Sequence, residues 1–100
     1  MILKNNNGKL EIYKDNGALW LKYPFNDVSF ADLSNDEELV LVTFEDGNVE
    51  LFKSNGAKHL RFNTNGDAKE ARFAGDDVVI TYENGKSEVR GTNGSLKRTF

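Results

Sequence analysis

Apolar and polar positions alternate along most of this chain, in short runs separated by turns rich in Asn, Asp and Gly. The clearest stretch begins with an apolar run, Leu39–Val42. A turn at Asp46-Gly47, a second run, a turn at Asn55-Gly56 and a third run ending at Phe62 follow it. Alternating runs bounded by such turns predict β-strands, and these turn residues tolerate the positive φ of tight hairpins. The pattern therefore predicts an all-β chain built from hairpins.

This stretch occurs in three copies. Residues 43–47 (Thr-Phe-Glu-Asp-Gly) match residues 81–85 (Thr-Tyr-Glu-Asn-Gly), and the match continues from Phe62 to Phe100. Gly8 begins an earlier copy that matches the one beginning at Gly47. All three copies share an acidic residue: Glu11, Glu50 and Glu88. A period of about 40 residues with several short strands in each copy is typical of propeller blades or another β-repeat array.

The pattern predicts eleven strands in a single domain of three repeats, spanning 1–26, 27–66 and 67–100. The predicted strands cover residues 1–5, 9–14, 18–23, 27–31, 38–45, 48–53, 57–62, 70–74, 78–83, 86–90 and 95–100. A complete repeat has four strands, named a to d in chain order. Strand a is identified by matching Asp27–Ala31 with Glu70–Ala74. The first repeat begins at strand b, which leaves groups of three, four and four strands. We expect at most one helical turn, within Leu33–Leu39.

The polarity of the strands distinguishes between architectures. Strand b is apolar on both faces, as in Val40, Leu41 and Val42, whereas strand c alternates and strand d is the most polar. A strand without a polar face must be covered on both sides. Every strand of a closed meander would instead alternate. We therefore expect nearly three four-stranded, propeller-like blades, with a closed meander β-barrel as the alternative.

The a–b–c–d order, the Phe-Ala pair near the start of each full copy and the Gly-centred b–c hairpin resemble a β-propeller blade of the WD-repeat type. The resemblance covers nearly the whole chain. Phe52-Lys53 and Arg90-Gly91 stand where that family has its Trp-Asp pair, and no Gly-His pair precedes strand a. The resemblance therefore implies blade architecture without the family's hydrogen-bond network.

Propeller rings typically have about 4 to 8 blades, more than this chain supplies. End blades with uncovered apolar faces are association sites. We therefore predict that self-association completes the ring, with a homodimer favoured and a larger ring possible. The alternative is that the chain is a fragment of a longer or designed propeller.

Composition narrows the functional classes. The chain has 100 residues, a formal net charge of −3 and interspersed charges, which is not the basic footprint of a nucleic-acid-binding protein. The absence of cysteine excludes disulfides and thiolate metal sites. The first residues predict neither a signal peptide nor a membrane span, so we expect a soluble, cytoplasmic protein.

Candidate catalytic and metal-binding residues are sparse. His59 is the single histidine and falls in a predicted outer strand, so neither a catalytic triad nor a His-based metal site is expected. The acidic residues 36–38 and 76–77 occupy matching loops and are predicted to be solvated turns. Residues 63–67 resemble part of a calcium loop but lack its later bidentate Glu, and we predict a turn. We expect no enzyme activity, no cofactor and no metal.

Loops supply the candidate binding site. In propeller geometry the d–a and b–c loops share one face, and rigid scaffolds carry function on their loops. The predicted partner-binding face consists of Phe25, Asp46, Asn65, Asp67, Asn84 and Lys86. Trp20 is a possible subunit contact, or it packs against the neighbouring blade; Phe25 likewise either packs against that blade or makes a partner contact. The missing strand a leaves a sheet edge that an extended peptide could fill. We thus expect a non-catalytic protein-interaction scaffold that binds an unknown protein; a small-ligand or carbohydrate-binding, lectin-like module is the alternative.

Overall fold

The computed structural model describes residues 1–100, which form eleven strands and no helix. The strands are β1 Ile2–Asn6, β2 Lys9–Tyr13, β3 Leu19–Lys22, β4 Val28–Leu33, β5 Leu39–Phe44, β6 Val49–Lys53, β7 Lys58–Phe62, β8 Ala68–Ala74, β9 Asp77–Tyr82, β10 Ser87–Gly91 and β11 Leu96–Thr99. Each predicted strand is confirmed, with ends that differ by one or two residues. Alternation and turn chemistry are local properties, which is why they locate the strands well.

Every strand pairs antiparallel with its neighbour in sequence, and the strands form three separate sheets. The first sheet contains β1 to β3, the second β4 to β7 and the third β8 to β11. The predicted grouping of three, four and four is confirmed. The alternative of a closed barrel is wrong, because the strand that ends each sheet leads into the next sheet and does not pair with it.

Strand pairing corrects the match between the two a strands. Ala31 pairs with Val42, and Ala71 pairs with Ile80 at the corresponding place in the third sheet. Ala31 therefore corresponds to Ala71, whereas the sequence match had placed it over Ala74. Both a strands also have an irregularity near their start, between Val28 and Phe30 and between Ala68 and Glu70. The hydrogen-bond register, and not the shared Phe-Ala sequence, therefore decides which residues of the two a strands correspond.

Two apolar clusters hold the three sheets face to face. In β5, Val40 and Val42 contribute to the cluster between the first and second sheets, and Leu41 contributes to the cluster between the second and third. All three side chains have no solvent exposure. The prediction that this strand is buried on both faces is confirmed. The second sheet is thus the middle layer, and each outer sheet has one face covered and one face free.

The sheets converge at one edge. The close backbone approaches between sheets join β4 to β8, β5 to β8, β1 to β4 and β2 to β4. Strands β3, β7 and β11, which end each sheet, take part in none of them. The layers therefore fan out from an inner rim formed by the first strands of each sheet.

Two polar side chains bridge the sheets at this inner rim. Asp32 Oδ2 accepts a hydrogen bond of 2.8 Å from the backbone N–H of Phe73 in the third sheet. Asn5 Nδ2 donates a bond of 3.1 Å to the Val28 carbonyl in the second sheet. Edge strands present unpaired backbone groups, and these side chains satisfy one on β8 and one on β4.

Candidate interaction surfaces

The turns after strand b and the loops after strand d lie together at one end of the sheets. At Gly47 an added Cβ would lie 1.9 Å from the Gly66 carbonyl oxygen, and at Gly8 it would lie 2.2 Å from the Asn26 oxygen. Both glycines also have positive φ, of 83° and 90°. The first two turns after strand b therefore touch the loops that lead into the next sheets, so the two kinds of loop share one face.

The loop from Asn63 to Asp67 is held as a compact turn. The buried Thr64 hydroxyl donates a 2.8 Å hydrogen bond to the Gly47 carbonyl, which also accepts the N–H of Ala68. The Asp67 N–H bonds to the Thr64 carbonyl. The Thr64 hydroxyl thus stabilises the turn and holds this loop against the turn at Gly47, in agreement with the turn predicted for residues 63–67.

A polar cleft of about 360 Å³ lies between this loop and the third sheet. Four residues of the predicted loop face line it: Asn65, Asp67, Asn84 and Lys86. Its other lining residues are Asn63, Thr64, Tyr82, Glu88, Arg90 and Thr99. Amide, carboxylate and ammonium groups therefore converge on one concave surface, where they could form hydrogen bonds to a polar ligand.

An ionic hydrogen-bond network forms the wall of this cleft. The Glu88 carboxylate accepts hydrogen bonds from the Tyr82 hydroxyl and from the Arg90 guanidinium, whose two contacts measure 3.1 and 2.9 Å. Burial disfavours ionisation of Glu88, but these donors outweigh it and hold the pKa of its carboxyl below the usual value. Burial and the Glu88 bond raise the pKa of Tyr82 to about 12. The network was missed from the sequence; the acidic position shared by all repeats was its one signal.

The other two residues predicted for the loop face lie outside this cleft. Asp46 is exposed on a neighbouring turn, where its carboxylate accepts bonds from the Asn48 N–H and side-chain amide. Phe25 is half-buried in the first apolar cluster, with its ring 5.1 Å from that of Phe44 and stacked at 5.4 Å on Tyr23. Phe25 is therefore part of the packing between the first and second sheets.

Trp20 touches the second sheet while remaining 46% exposed. Its indole Nε1 donates a 3.3 Å hydrogen bond to the Ser54 carbonyl, and the Lys14 ammonium lies 5.3 Å from the ring centroid. Both the packing and the exposure that the sequence suggested are present in one side chain. A subunit contact at Trp20 stays a prediction.

The glutamates shared by the three repeats have different partners. Glu50 forms an ion pair of 3.1 Å with Lys58, a diagonal neighbour on the adjacent strand β7, where the register pairs Glu50 with Arg61. Glu88 bonds to Arg90 on its own strand, and Glu11 accepts from the Tyr13 hydroxyl and the Asn6 amide. In all three repeats the carboxylate therefore bonds to residues of its own sheet.

The remaining residues considered for catalysis or metal binding either form hydrogen bonds within their own loop or are exposed. Asp36 accepts bonds from the Ser34 hydroxyl and the Glu38 N–H, which lower the pKa of its carboxyl. His59 is exposed on β7. No three His, Asp or Glu side chains are grouped so that they could hold a metal ion.

The free face of the first sheet carries the counterparts of buried residues in the second sheet. Strand pairing aligns Ile2 with Val40 and Tyr13 with Phe52, because each pair occupies the same register. Val40 has no exposure and Phe52 has 7%, whereas Ile2 is 49% exposed. The corresponding position of Val42 is taken by Lys4. This face is therefore partly apolar and uncovered.

The free face of the third sheet shows the same relationship. Val79 and Val89 pair with each other and align with the fully buried pair Leu41 and Leu51 of the second sheet. Both valines are half-exposed. Arg98, which pairs with Val89, lies where the second sheet has Leu60. The two outer faces are thus less apolar than the inner ones, but each keeps an apolar pair at its centre.

Comparisons with known proteins assign no family. No protein-family model matches the chain, and no curated protein was found to match it. The structure contains no helix of sufficient length and hydrophobicity to cross a membrane.

Proposed function

We propose that this chain is a non-catalytic scaffold of propeller-like blades and that copies associate through their free sheet faces. One observation carries the proposal. The middle sheet buries both faces of β5 completely, whereas the same positions on the outer sheets, at Ile2 and Val79, are uncovered. Covering such faces removes apolar surface from water, which stabilises association by about 25 cal/mol per Å² before the costs of binding are subtracted.

The fan arrangement supports blades over a flat stack. Close approaches between sheets involve the first strands of each sheet and leave out β3, β7 and β11. Sheets that converge at one edge continue into a ring when further sheets are added in the same way. Because the resemblance to WD-type blades implies such a ring, two copies would supply six sheets, within the usual range of about 4 to 8.

Each expected contact joins two different surfaces, and a two-fold axis relates the two contacts of a dimer. The face of the first sheet that carries Ile2 and Tyr13 would lie against the face of a second copy's third sheet that carries Val79 and Val89. This repeats the arrangement of the two internal interfaces, in which the second sheet presents opposite faces to its two neighbours. The ring closes with two copies when a two-fold rotation relates them, and with more copies when the rotation per copy is smaller.

Sedimentation velocity tests the proposal. We expect the wild-type chain to be a dimer at about 100 µM, the weak-to-moderate range for a partly polar interface. Val89→Lys should shift it to monomer because a charge would be buried at the centre of the contact. Leu96→Lys is the matched control, since Leu96 is exposed on the same sheet but off the free face. A wild-type monomer at this concentration would contradict the proposal.

Mixing two variants tests whether two different faces pair. Val89→Lys disables the third-sheet face and Tyr13→Lys disables the first-sheet face, so each variant keeps one intact face. A mixed dimer has one intact contact and one that carries both lysines, so an equimolar mixture should associate more weakly than wild type but more strongly than either variant alone. A mixture that associates no more than the separate folded variants would contradict this pairing of faces.

A second candidate function is the binding of a small polar ligand, such as a carbohydrate, at the loop face. The convergence of Asn65, Asp67, Asn84 and Lys86 on one cleft favours it. A glycan array followed by calorimetric titration of each hit would test it. Asp67→Ala should abolish binding, whereas Asp76→Ala, an exposed carboxylate outside the cleft, should not. An array without hits, or equal loss in both variants, would count against this candidate.

A further inference from the structure

The first sheet has an open backbone edge at β1. In the second and third sheets a further strand, β4 or β8, pairs with the strand equivalent to β1, but the first sheet has no such strand. The two-residue turn at Asn7-Gly8 fixes which backbone groups face β2, because the pair that flanks such a turn is hydrogen-bonded. Lys4 and Asn6 therefore direct their N–H and C=O groups toward β2. Leu3 and Asn5 direct theirs to the open edge.

The backbone groups of Leu3 and Asn5 at this edge have no partner within the chain. None of the hydrogen bonds outside the regular strand pairs involves them. On β8, by contrast, the edge N–H of Phe73 donates a hydrogen bond to the Asp32 carboxylate. The β1 edge is therefore available to an added strand.

An incompletely covered apolar strip lies beside this edge. Ala31 and Leu33 on β4 face the first sheet and border its apolar cluster together with Leu3. Ala31 is half-exposed, whereas its counterpart Ala71 in the third sheet is fully buried. Two strands of the second sheet, β4 and β5, approach β8, whereas the first sheet has no strand equivalent to β4 and approaches β4 through β1 and β2.

Lys4 places a positive charge near the middle of the β1 edge. The Lys4 ammonium lies 5.7 Å from the Tyr13 ring centroid and belongs to none of the chain's ion pairs. Its cross-strand neighbour Glu11 is engaged by Tyr13 and Asn6. A residue placed opposite Lys4 by an added strand would face away from the second sheet, as Lys4 does, and would lie within reach of its charge.

We propose that β1 binds an extended peptide segment of a partner protein by strand addition. The segment pairs with Leu3 and Asn5, presents an acidic residue opposite Lys4 and places an apolar residue opposite Asn5, against Ala31 and the rim of the first cluster. Backbone hydrogen bonds supply affinity in this mode and alternate side chains supply specificity. The backbone pairing does not rest on self-association, because the open edge lies at the inner rim; the Lys4 side chain itself lies on the free face of the first sheet.

The probe is a synthetic peptide copied from the chain's own strand β4. Acetyl-VSFEDL-amide corresponds to Val28–Leu33 with Ala31→Glu, which places Glu opposite Lys4 when the peptide occupies the register that β4 has on β5. In amide hydrogen exchange followed by NMR, we expect the Leu3 and Asn5 N–H groups to become protected at about 1 mM peptide. The Lys4 and Asn6 N–H groups, already bonded to β2, should change little.

A charge swap tests specificity. Acetyl-VSFKDL-amide should bind wild-type protein about two- to fivefold more weakly than the Glu peptide, the range for a cross-strand ion pair. Lys4→Glu should reverse that preference. Lys22→Glu is the matched control, because Lys22 lies on the same sheet in register with Glu11 but on the far strand β3. The Lys22 variant should keep the wild-type preference.

Three outcomes would overturn the inference. One is the absence of protection at Leu3 and Asn5. Another is protection spread over both free sheet faces, which would indicate non-specific association. The third is a Lys4→Glu variant that is folded but shows no reversal. Sedimentation of the peptide complex separates this result from the proposed dimer, because strand addition should leave the oligomeric state unchanged.

Discussion

At the residue scale, two buried threonines differ in how their hydroxyls are satisfied. Thr43 in β5 has no solvent exposure, and its Oγ1 has no hydrogen-bond partner. Thr64 is equally enclosed, but its hydroxyl donates to the Gly47 carbonyl. A buried polar group without a partner costs free energy, whereas a satisfied one contributes modestly to stability. The two positions therefore form an internal comparison.

We predict that Thr43→Val raises the free energy of unfolding by about 1 kcal/mol, because it removes an unpaired hydroxyl and keeps the side-chain shape. Thr64→Val should lower it by about 1–2 kcal/mol, because the Gly47 carbonyl loses a donor. Urea denaturation of both variants measures the difference. Equal effects of the two substitutions would show that the partner of the hydroxyl does not matter here.

The buried phenol of Tyr23 predicts an alkaline loss of stability. Burial raises the pKa of Tyr23 to about 12, and its hydroxyl donates to the Lys53 carbonyl. The unfolded chain ionises near pH 10, so this group's contribution is complete below pH 10 and is lost as the pH rises toward 12. We expect the stability difference between wild type and Tyr23→Phe to change over that range and to stay constant from pH 7 to about 9. Urea denaturation at each pH measures it.

At the scale of elements, backbone contact between turns decides how one sheet follows another. Gly47 and Gly85 occupy matching turns and have nearly the same φ, 83° and 87°. An added Cβ at Gly47 would collide with the Gly66 carbonyl, whereas at Gly85 nothing lies within 4 Å. The turn after β9 has no following sheet to pack against, which explains the open space.

We predict that Gly85→Ala costs about 1 kcal/mol of stability from the positive φ alone. Gly47→Ala should cost at least about 3 kcal/mol, since the turn must also move away from the loop at Gly66. Thermal denaturation of both variants gives the comparison. If the two costs were equal, the contact between the turn and the loop would carry no energy.

At the scale of the whole molecule, the layered order of sheets implies graded local stability. The middle strand β5 is buried on both faces, whereas all four residues of β11 are exposed at a sheet edge. Segments with few buried contacts open locally, and enclosed segments exchange their amide hydrogens through global unfolding.

We therefore expect hydrogen exchange at the Val40 and Val42 amides to be at least about 100-fold slower than at amides of β11. Amides of β9 should lie between these limits, because the third sheet is covered on one side. NMR-detected exchange in the monomeric Val89→Lys variant would make the test independent of self-association. Uniform protection of all three sheets would mean that the layers unfold together.

Local sequence patterns were sufficient to predict the strands and turns. The apolar run Leu39–Val42 indicated a strand covered on both faces, and the Asn-Gly and Asp-Gly pairs located the hairpins. The same local reasoning left two alternatives for Phe25, packing against the neighbouring sheet or a contact on the loop face. Its ring packs into the apolar cluster between two sheets.

For the candidate site, sequence reasoning grouped four of six loop-face residues correctly but missed the wall formed by Tyr82, Glu88 and Arg90. Glu88 and Arg90 share strand β10, but the Tyr82 bond to Glu88 crosses from β9 and depends on a cross-strand register that no single run of sequence specifies.

By itself, the amino-acid sequence determined the eleven strands, their turns and their grouping into three repeats, because periodicity and turn chemistry act between residues close in the chain. The tertiary structure alone decided the register of strand a, the packing of Phe25 into the first apolar cluster, and the inner rim joined by Asp32 and Asn5. Each of these depends on which backbone groups and faces of separate sheets come together, and such contacts join residues far apart in the chain.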